Sequence, residues 1–202
     1  MAREEADGLG SRSLRLFVAF DVSTDAADAV ARAVEPWVTA LPTARWVPRE
    51  NWHVTVKFLG QTWPRLEGWI RERVRDVARR HGPAPTRLTA MGSFPGRGRA
   101  RVLWAGMDDE TGALRRIAAA LDEALRREFR PETRPFSPHL TVARSEPPVR
   151  LPEGFVAPLP PVAFTVDRVV LFRSHLRRPA PRYEPIEAFP LVGPLLGATD
   201  GS

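Results

Sequence analysis

The chain has 202 residues, enough for one compact domain or two small lobes sharing a core, and it has no cysteine, which excludes disulfides, thiolate metal sites and cysteine nucleophiles. No apolar run is long enough to cross a membrane, and the first residues lack the apolar core of a secretion signal, so we expect a cytoplasmic protein with no membrane partner. The formal net charge of +6 is compatible with a polyanion such as RNA but does not by itself indicate one.

Strand and helix patterns alternate along the first half of the chain. Apolar side chains at every second position of residues 14–20 are typical of a strand with one buried face. Pro36 falls inside the next helical pattern and is expected to kink or shorten that helix. The predicted elements are a strand over 14–20, a helix capped by Ser23 or Thr24, a strand over 52–59 and a helix that begins at Pro64.

The second half of the chain continues the alternation. The predicted elements are strands over 87–93 and 101–107, a helix over 111–129, and strands over 139–144, 163–172 and 183–189. The proline-rich residues 147–161 are expected to form an ordered loop. Residues 1–12 and 191–202 carry helix and strand breakers and are expected to be flexible tails, which leaves one two-lobed domain over 13–190.

Both halves of the chain share one order of elements: a strand, an amphipathic helix, and a strand that contains His-x-Thr. The first strand begins near Leu14 and leads to His53, and the corresponding strand begins near Arg101 and leads to His139. Because these two spacings are nearly equal, the simplest arrangement is two similar α+β lobes with a cleft between them.

The paired His-x-Thr motifs are the strongest chemical signal in the chain. Side chains alternate across a strand, so His53 shares one face with Thr55, and His139 shares one face with Thr141. One neutral imidazole can accept a proton while an imidazolium donates another, and threonine hydroxyls can bind phosphate oxygens. The pattern therefore favours phosphodiester chemistry.

The neighbours of Thr55 are assigned to faces by the same rule. A regular strand places Lys57 on the face of His53, where we expect a solvated side chain rather than a positive charge for the cleft. It places Phe58 on the opposite face, where core packing is favoured over base stacking. Metal binding is the competing use of paired histidines, but the helical i, i+4 pair of zinc proteases is missing, and we expect no metal. Two half-buried histidines that bond only to the backbone are the remaining alternative.

Three segments resemble one known family, the two-histidine phosphoesterase superfamily, and within it the RNA 2′,3′-cyclic phosphodiesterase (2′-5′ RNA ligase-like) branch. They are Arg45-Trp-Val47, His53-Val-Thr-Val-Lys-Phe-Leu-Gly60 and Ser137-Pro-His-Leu-Thr-Val-Ala-Arg144. The resemblance spans residues 14–190. It implies an α+β fold of two pseudo-symmetric lobes of antiparallel sheet with outer helices, which form a central V-shaped cleft.

The resemblance also implies roles for five residues. His53 and His139 correspond to the catalytic histidines, Thr55 and Thr141 to threonines that contact phosphate, and Arg144 to an arginine that contacts substrate. Strict alternation puts Arg144 on the face opposite His139, so it reaches the cleft only if the strand twists or contains a bulge.

The function implied by the resemblance is hydrolysis of an RNA or nucleotide 2′,3′-cyclic phosphate to a 2′-phosphate, with the reverse 2′-5′ ligation as a related reaction. We expect His139 to act as general base on water and His53 as general acid to the leaving 3′ oxygen. A monomer without a cofactor is expected to bind either an RNA that ends in a cyclic phosphate or a cyclic nucleotide. Two alternatives are a noncatalytic basic RNA-binding module and a phosphodiesterase for a small cyclic nucleotide.

Overall fold

The computed structural model describes residues 13–177 and 180–194. Within them lie nine strands and three α-helices: β1 (Leu14–Phe20), α1 (Thr24–Ala40), β2 (Arg45–Trp46), β3 (Val54–Thr62), α2 (Glu67–Arg80), β4 (Ala84–Phe94), β5 (Arg99–Met107), α3 (Ala113–Leu125), β6 (His139–Arg150), β7 (Ala163–Val166), β8 (Arg168–His175) and β9 (Arg182–Pro190). The expected N-terminal tail, 1–12, and residues 195–202 of the expected C-terminal tail lie outside the described residues. No helix in the described ranges is both long and apolar enough to cross a membrane.

The first helix begins where the sequence indicates but ends later than its proline suggests. The Ser23 hydroxyl accepts a hydrogen bond from the Ala26 backbone N–H at 3.2 Å and caps the helix. The helix then continues through Pro36 to Ala40, so the proline does not shorten it. Side chains on the inner face of the helix, Val30 among them, are fully buried. This burial stabilises the helix by more than the loss of the backbone hydrogen bond that Pro36 cannot donate.

The strands form two antiparallel sheets, as the α+β prediction requires. The first sheet has the order β3-β1-β8-β9, and the second has the order β2-β6-β5-β4-β7. The sheets are not the two halves of the chain: β2 precedes β3 but pairs with β6, and β8 and β9 return from the far end to join β1. One buried apolar cluster extends through both sheets and the helices, so the lobes share a core.

A β-bulge follows the threonine of the first motif. Thr55 lies opposite Ala19 on β1, whereas Lys57 lies opposite Val18, so Val56 is the extra residue. An inserted residue shifts the alternation by one position. Lys57 therefore points to the core face, and Phe58 returns to the face of Thr55.

The second motif contains the equivalent bulge. Thr141 lies opposite Trp104 on β5 and Ala143 lies opposite Leu103, so Val142 is the extra residue. Arg144 then returns to the face of Thr141, where strict alternation would have excluded it. The two histidine strands are thus equivalent in local geometry as well as in sequence.

The last described residues pack onto the domain. Leu191 is 3% exposed, and its backbone N–H donates to the Asp167 carbonyl at 2.8 Å. The Gly193 N–H donates to the His81 carbonyl at 3.0 Å. Asp167 also separates β7 from β8, which the sequence pattern predicts as one strand.

Candidate active site

The His53 ring is held by hydrogen bonds at both nitrogens. Its Nδ1 lies 2.7 Å from the Asn51 carbonyl oxygen, which can only accept, so Nδ1 carries the proton. The Nε2 atom of the neutral ring is then an acceptor, and the Thr55 hydroxyl, 3.0 Å away, donates to it. The Asn51 carbonyl thus fixes the tautomer, and Nε2 points to Thr55, which lines the cleft.

Aromatic rings enclose His53 on its other sides. The ring centroids of Phe17, Tyr183 and Phe172 lie 4.8, 5.1 and 5.9 Å from that of the imidazole. This burial lowers the pKa of His53 to about 4; the Asn51 carbonyl partly offsets the effect of burial, and the charge of Arg144 makes the smallest contribution, which adds to the lowering. His53 is therefore neutral at physiological pH in the unliganded protein.

The same arrangement recurs at His139. Its Nδ1 donates to the Ser137 carbonyl, two residues back, at 2.8 Å. The Phe94 ring meets it edge-on at 5.1 Å, and Trp104 lies at 6.3 Å. Burial lowers the pKa of His139, the Ser137 carbonyl partly offsets this, and the Arg144 charge adds to the lowering.

A cleft of about 440 Å³ opens above the first sheet. It is lined by Arg15, Leu16, Phe17, Val47, Asn51, His53, Thr55, Phe58, Gly60, Thr141, Arg144, Ser174, Leu176, Pro181 and Tyr183. Four of the five residues singled out from the sequence thus meet in one space. His139 is not in the lining; it lies two residues before Thr141 on β6. Arg144 lies close enough to both imidazoles for its charge to lower both pKa values.

The charge of the cleft suits an anion. Arg15 and Arg144 are the charged residues among the described ones that line it, and no carboxylate joins them there. Neither guanidinium forms an ion pair with any other described residue. Burial raises the pKa of the Tyr183 phenol beside them, and the two arginines act in the opposite direction.

Within the described ranges, no three histidine or carboxylate side chains converge as metal ligands would.

The interpretation of Lys57 and Phe58 from strand alternation is wrong, and the bulge at Val56 is the reason. Lys57 is 2% exposed; its ammonium forms an ion pair with Asp122 on α3 and donates to the Arg130 carbonyl at 2.9 Å. Phe58 is 59% exposed and lines the cleft. Lys57 thus stabilises the underside of the motif, and Phe58 provides an apolar wall for the cleft.

Sequence reasoning missed several residues of the cleft wall. Arg15 and Phe17 belong to β1, where the alternation of residues 14–20 predicts the buried face; these two lie on the opposite face of the same strand. Tyr183, the single tyrosine of the chain, comes from β9 and is more than a hundred residues from His53. Only the pairing of β8 and β9 with β1 brings it there.

Comparison with known proteins gives one consistent family. A sequence model of the 2′-5′ RNA ligase superfamily matches residues 22–178. The RNA 2′,3′-cyclic phosphodiesterase of Methanothermobacter thermautotrophicus is 32% identical over 184 residues, which cover 88% of this chain and 99% of that protein. The enzyme of the same name from Geobacillus stearothermophilus is 34% identical over 190 residues, which cover 92% of this chain but 58% of that longer relative.

Solved structures give the same result for the fold. A crystal structure of a Thermus thermophilus protein superposes with a TM-score of 0.77 at 28% identity and covers 89% of this chain and 98% of that one. Escherichia coli LigT complexed with 3′-AMP superposes with a TM-score of 0.71 at 26% identity and covers 89% of this chain and 99% of LigT. The two-sheet fold of this chain is therefore shared with solved proteins.

Proposed function

Because this chain belongs to the 2′-5′ RNA ligase superfamily, we propose that it hydrolyses RNA 2′,3′-cyclic phosphate ends to 2′-phosphates without a metal. The observation that carries the proposal is the position of Arg144, whose charge acts on both imidazoles from a cleft without carboxylates among its described lining residues. Relatives that share about a third of the sequence bear the name RNA 2′,3′-cyclic phosphodiesterase. The geometry and the family thus support the same chemistry.

The cyclic phosphate would lie between the two threonines and Arg144. Thr55 and Thr141 each offer a hydroxyl to a non-bridging oxygen, and the guanidinium offers a charged, forked donor. The Thr141 and Arg144 donors line the cleft before the substrate arrives, and the Thr55 hydroxyl, which donates to His53 Nε2 in the unliganded protein, is released for the phosphate when that nitrogen is protonated. They would stabilise the additional negative charge of the transition state more than that of the bound substrate.

Two proton transfers complete the reaction. We assign His139 as the general base: its Nε2 takes a proton from water as the water oxygen bonds to phosphorus. His53 is the general acid: its Nε2 gives a proton to the ribose 3′ oxygen as the P–O3′ bond breaks. The products are a 2′-phosphate and a free 3′-hydroxyl. With an RNA 5′-hydroxyl in place of water, the same groups would form a 2′-5′ bond.

The low pKa of His53 constrains this assignment. A general acid must hold its proton in the substrate complex, whereas His53 is neutral at pH 7 in the unliganded protein. A bound phosphate anion close to Nε2 favours the imidazolium and offsets the influence of Arg144. Substrate binding is therefore expected to be coupled to uptake of one proton.

Turnover in the presence of EDTA tests the proposal. We expect hydrolysis of 2′,3′-cyclic AMP and of a cyclic-phosphate-ended oligonucleotide with EDTA present, and a loss of about a hundredfold or more in rate for His53→Ala or His139→Ala. His81→Ala is the matched control, since that imidazole bonds to the Val77 carbonyl in α2, outside the cleft lining. Near-full activity in both active-site variants, or activity that EDTA abolishes, would contradict the proposal.

A phosphodiesterase for a small cyclic nucleotide is the alternative, and it is not favoured, because the matching relatives bear the name of an RNA enzyme. A volume of about 440 Å³ lies in the usual range for one small ligand. The two substrates of the assay separate the candidates, because only an RNA-directed enzyme should prefer the oligonucleotide. A noncatalytic RNA-binding module is not favoured, because the matching relatives bear the name of an enzyme and His53 lines the cleft. We further propose that the enzyme acts as a monomer in the cytoplasm, since both motifs come from one chain and its substrate is RNA.

A further inference from the structure

A second, larger groove adjoins the cleft on the outer side of β3. This outer groove has a volume of about 910 Å³ and is lined by Phe58, Leu59, Gly60, Gln61, Thr62, Trp63, Arg65, Leu66, Glu128, Phe129, Arg130, Pro131, Glu132 and Thr133. It shares Phe58 and Gly60 with the cleft. Gly60 has a φ of +64°, and an added Cβ would meet no atom within 4 Å, so the space above it is open. The two spaces therefore adjoin each other along this wall.

Exposed aromatic rings follow this path. Phe58 is 59% exposed and Trp63 is 52% exposed, and Phe94 is the one other strongly exposed aromatic side chain in the part of the chain that the structure describes. The Arg65 guanidinium lies over the Trp63 ring, 5.8 Å from its centroid. Exposed rings beside an arginine are the usual means of stacking unpaired bases.

We propose that the outer groove binds the nucleotides that precede the terminal cyclic phosphate, with Trp63 as a stacking platform, so that the enzyme prefers RNA ends to free cyclic mononucleotides. This inference rests on the proposed function, because it assumes that the cyclic phosphate lies at the histidines. The cleft has room for about one nucleotide, so a longer strand must leave it. Trp63 lines the outer groove, which shares the wall formed by Phe58 and Gly60 with the cleft.

The charges of the outer groove allow an RNA backbone. Arg65 and Arg130 are exposed at its rim, and neither pairs with a carboxylate among the described residues. Of the two glutamates in the lining, Glu128 is paired with Arg127 at 3.3 Å, which leaves Glu132 as the opposing charge. Stacking rather than charge is therefore expected to supply most of the affinity.

A peptide strand paired to the free edge of β3 is the competing occupant. Strand addition needs a regular edge, whereas β3 is interrupted by register shifts at Val56 and Leu59 and by the left-handed Gly60. Pro64 then ends the edge. These irregularities favour a nucleic acid strand, which needs no such pairing.

The ratio of two kcat/KM values tests the inference. For wild-type protein, kcat/KM should be higher for a cyclic-phosphate-ended hexanucleotide than for 2′,3′-cyclic AMP. Trp63→Ala should lower the hexanucleotide value by about tenfold and leave the value for cyclic AMP unchanged, while Trp63→Phe should retain most of the preference. Arg65→Gln should lower the preference partially, and Arg32→Gln, an exposed arginine on α1, is the matched control. An unchanged ratio in Trp63→Ala would overturn the inference and leave the groove to a peptide.

A binding measurement separates this inference from the proposed function. If the wild-type protein hydrolyses neither substrate, the proposed function fails. The groove is then judged by the Kd of a fluorescent hexanucleotide with a 2′-phosphate end. A Kd about tenfold weaker in Trp63→Ala than in wild-type protein supports the groove as a binding site. An equal Kd overturns it.

Discussion

Protonation of His53 should couple the stability of this protein to pH. Three aromatic rings surround the imidazole, and its pKa in the folded state is about 4. In the unfolded chain a histidine has a pKa of about 6.5. Between these values the unfolded state binds more protons, so the free energy of unfolding must decrease as the pH falls.

The size of this effect follows from the two pKa values. Between pH 7 and pH 5, linkage of this single group removes about 2 kcal/mol of stability, and the loss approaches about 3 kcal/mol below pH 4. Such a change is a large fraction of the total for a domain of ordinary stability. This loss of stability is absent only at pH values above the unfolded-state pKa.

Urea denaturation at pH 7 and pH 5 measures the effect. Wild-type protein should lose about 2 kcal/mol more on acidification than His53→Gln, which has no group to titrate at this position. Thr141→Val is the control, because it changes the opposite side of the cleft and retains the His53 ring. Equal losses in wild-type protein and His53→Gln would refute the reasoning, since they would mean that His53 titrates at its ordinary pKa when folded.

Three further predictions concern the site and its support. First, the free enzyme must hold one proton on two histidines whose pKa values are both lowered. In steady-state assays kcat/KM should therefore decrease as the pH rises above an apparent pKa that is lower than 6.5, and it should also decrease as the pH falls below about 4. Second, Asp122→Ala should cost about 3 kcal/mol in urea denaturation, because it leaves the Lys57 ammonium buried without its partner, and the double variant Lys57→Met/Asp122→Leu should cost less. Third, Arg144→Gln should lower kcat/KM by about a hundredfold and raise the pKa of both His53 and His139, which NMR titration of the imidazoles would show.

The elements that carry the chemistry could be predicted from local patterns. The alternation of residues 14–20 and the cap at Ser23 appear in the structure as β1 and the start of α1. Both His-x-Thr motifs lie at the expected strands, because period two is a strong signal where one face is buried. For the same reason His53 lies on the same face as Thr55, and His139 lies on the same face as Thr141.

The remaining features depend on contacts between distant parts of the chain. The bulges at Val56 and Val142 are defined by the register against β1 and β5, and no local pattern marks an extra residue. Tyr183 reaches His53 only because β9 joins the first sheet through β8. The assignment of β2 to the second sheet also follows from topology, since a two-residue strand has almost no periodicity of its own.

The twin bulges give the cleft a direction. In both halves they return the third residue after the threonine to the cleft face, but that residue is Phe58 in one half and Arg144 in the other. Two fully interchangeable halves would accept a substrate either way round, and each imidazole would meet the attacking and the departing oxygen equally often. A ring on one side and a cation on the other make the two sides unlike, and we expect this difference to favour one orientation of the ligand between the lobes.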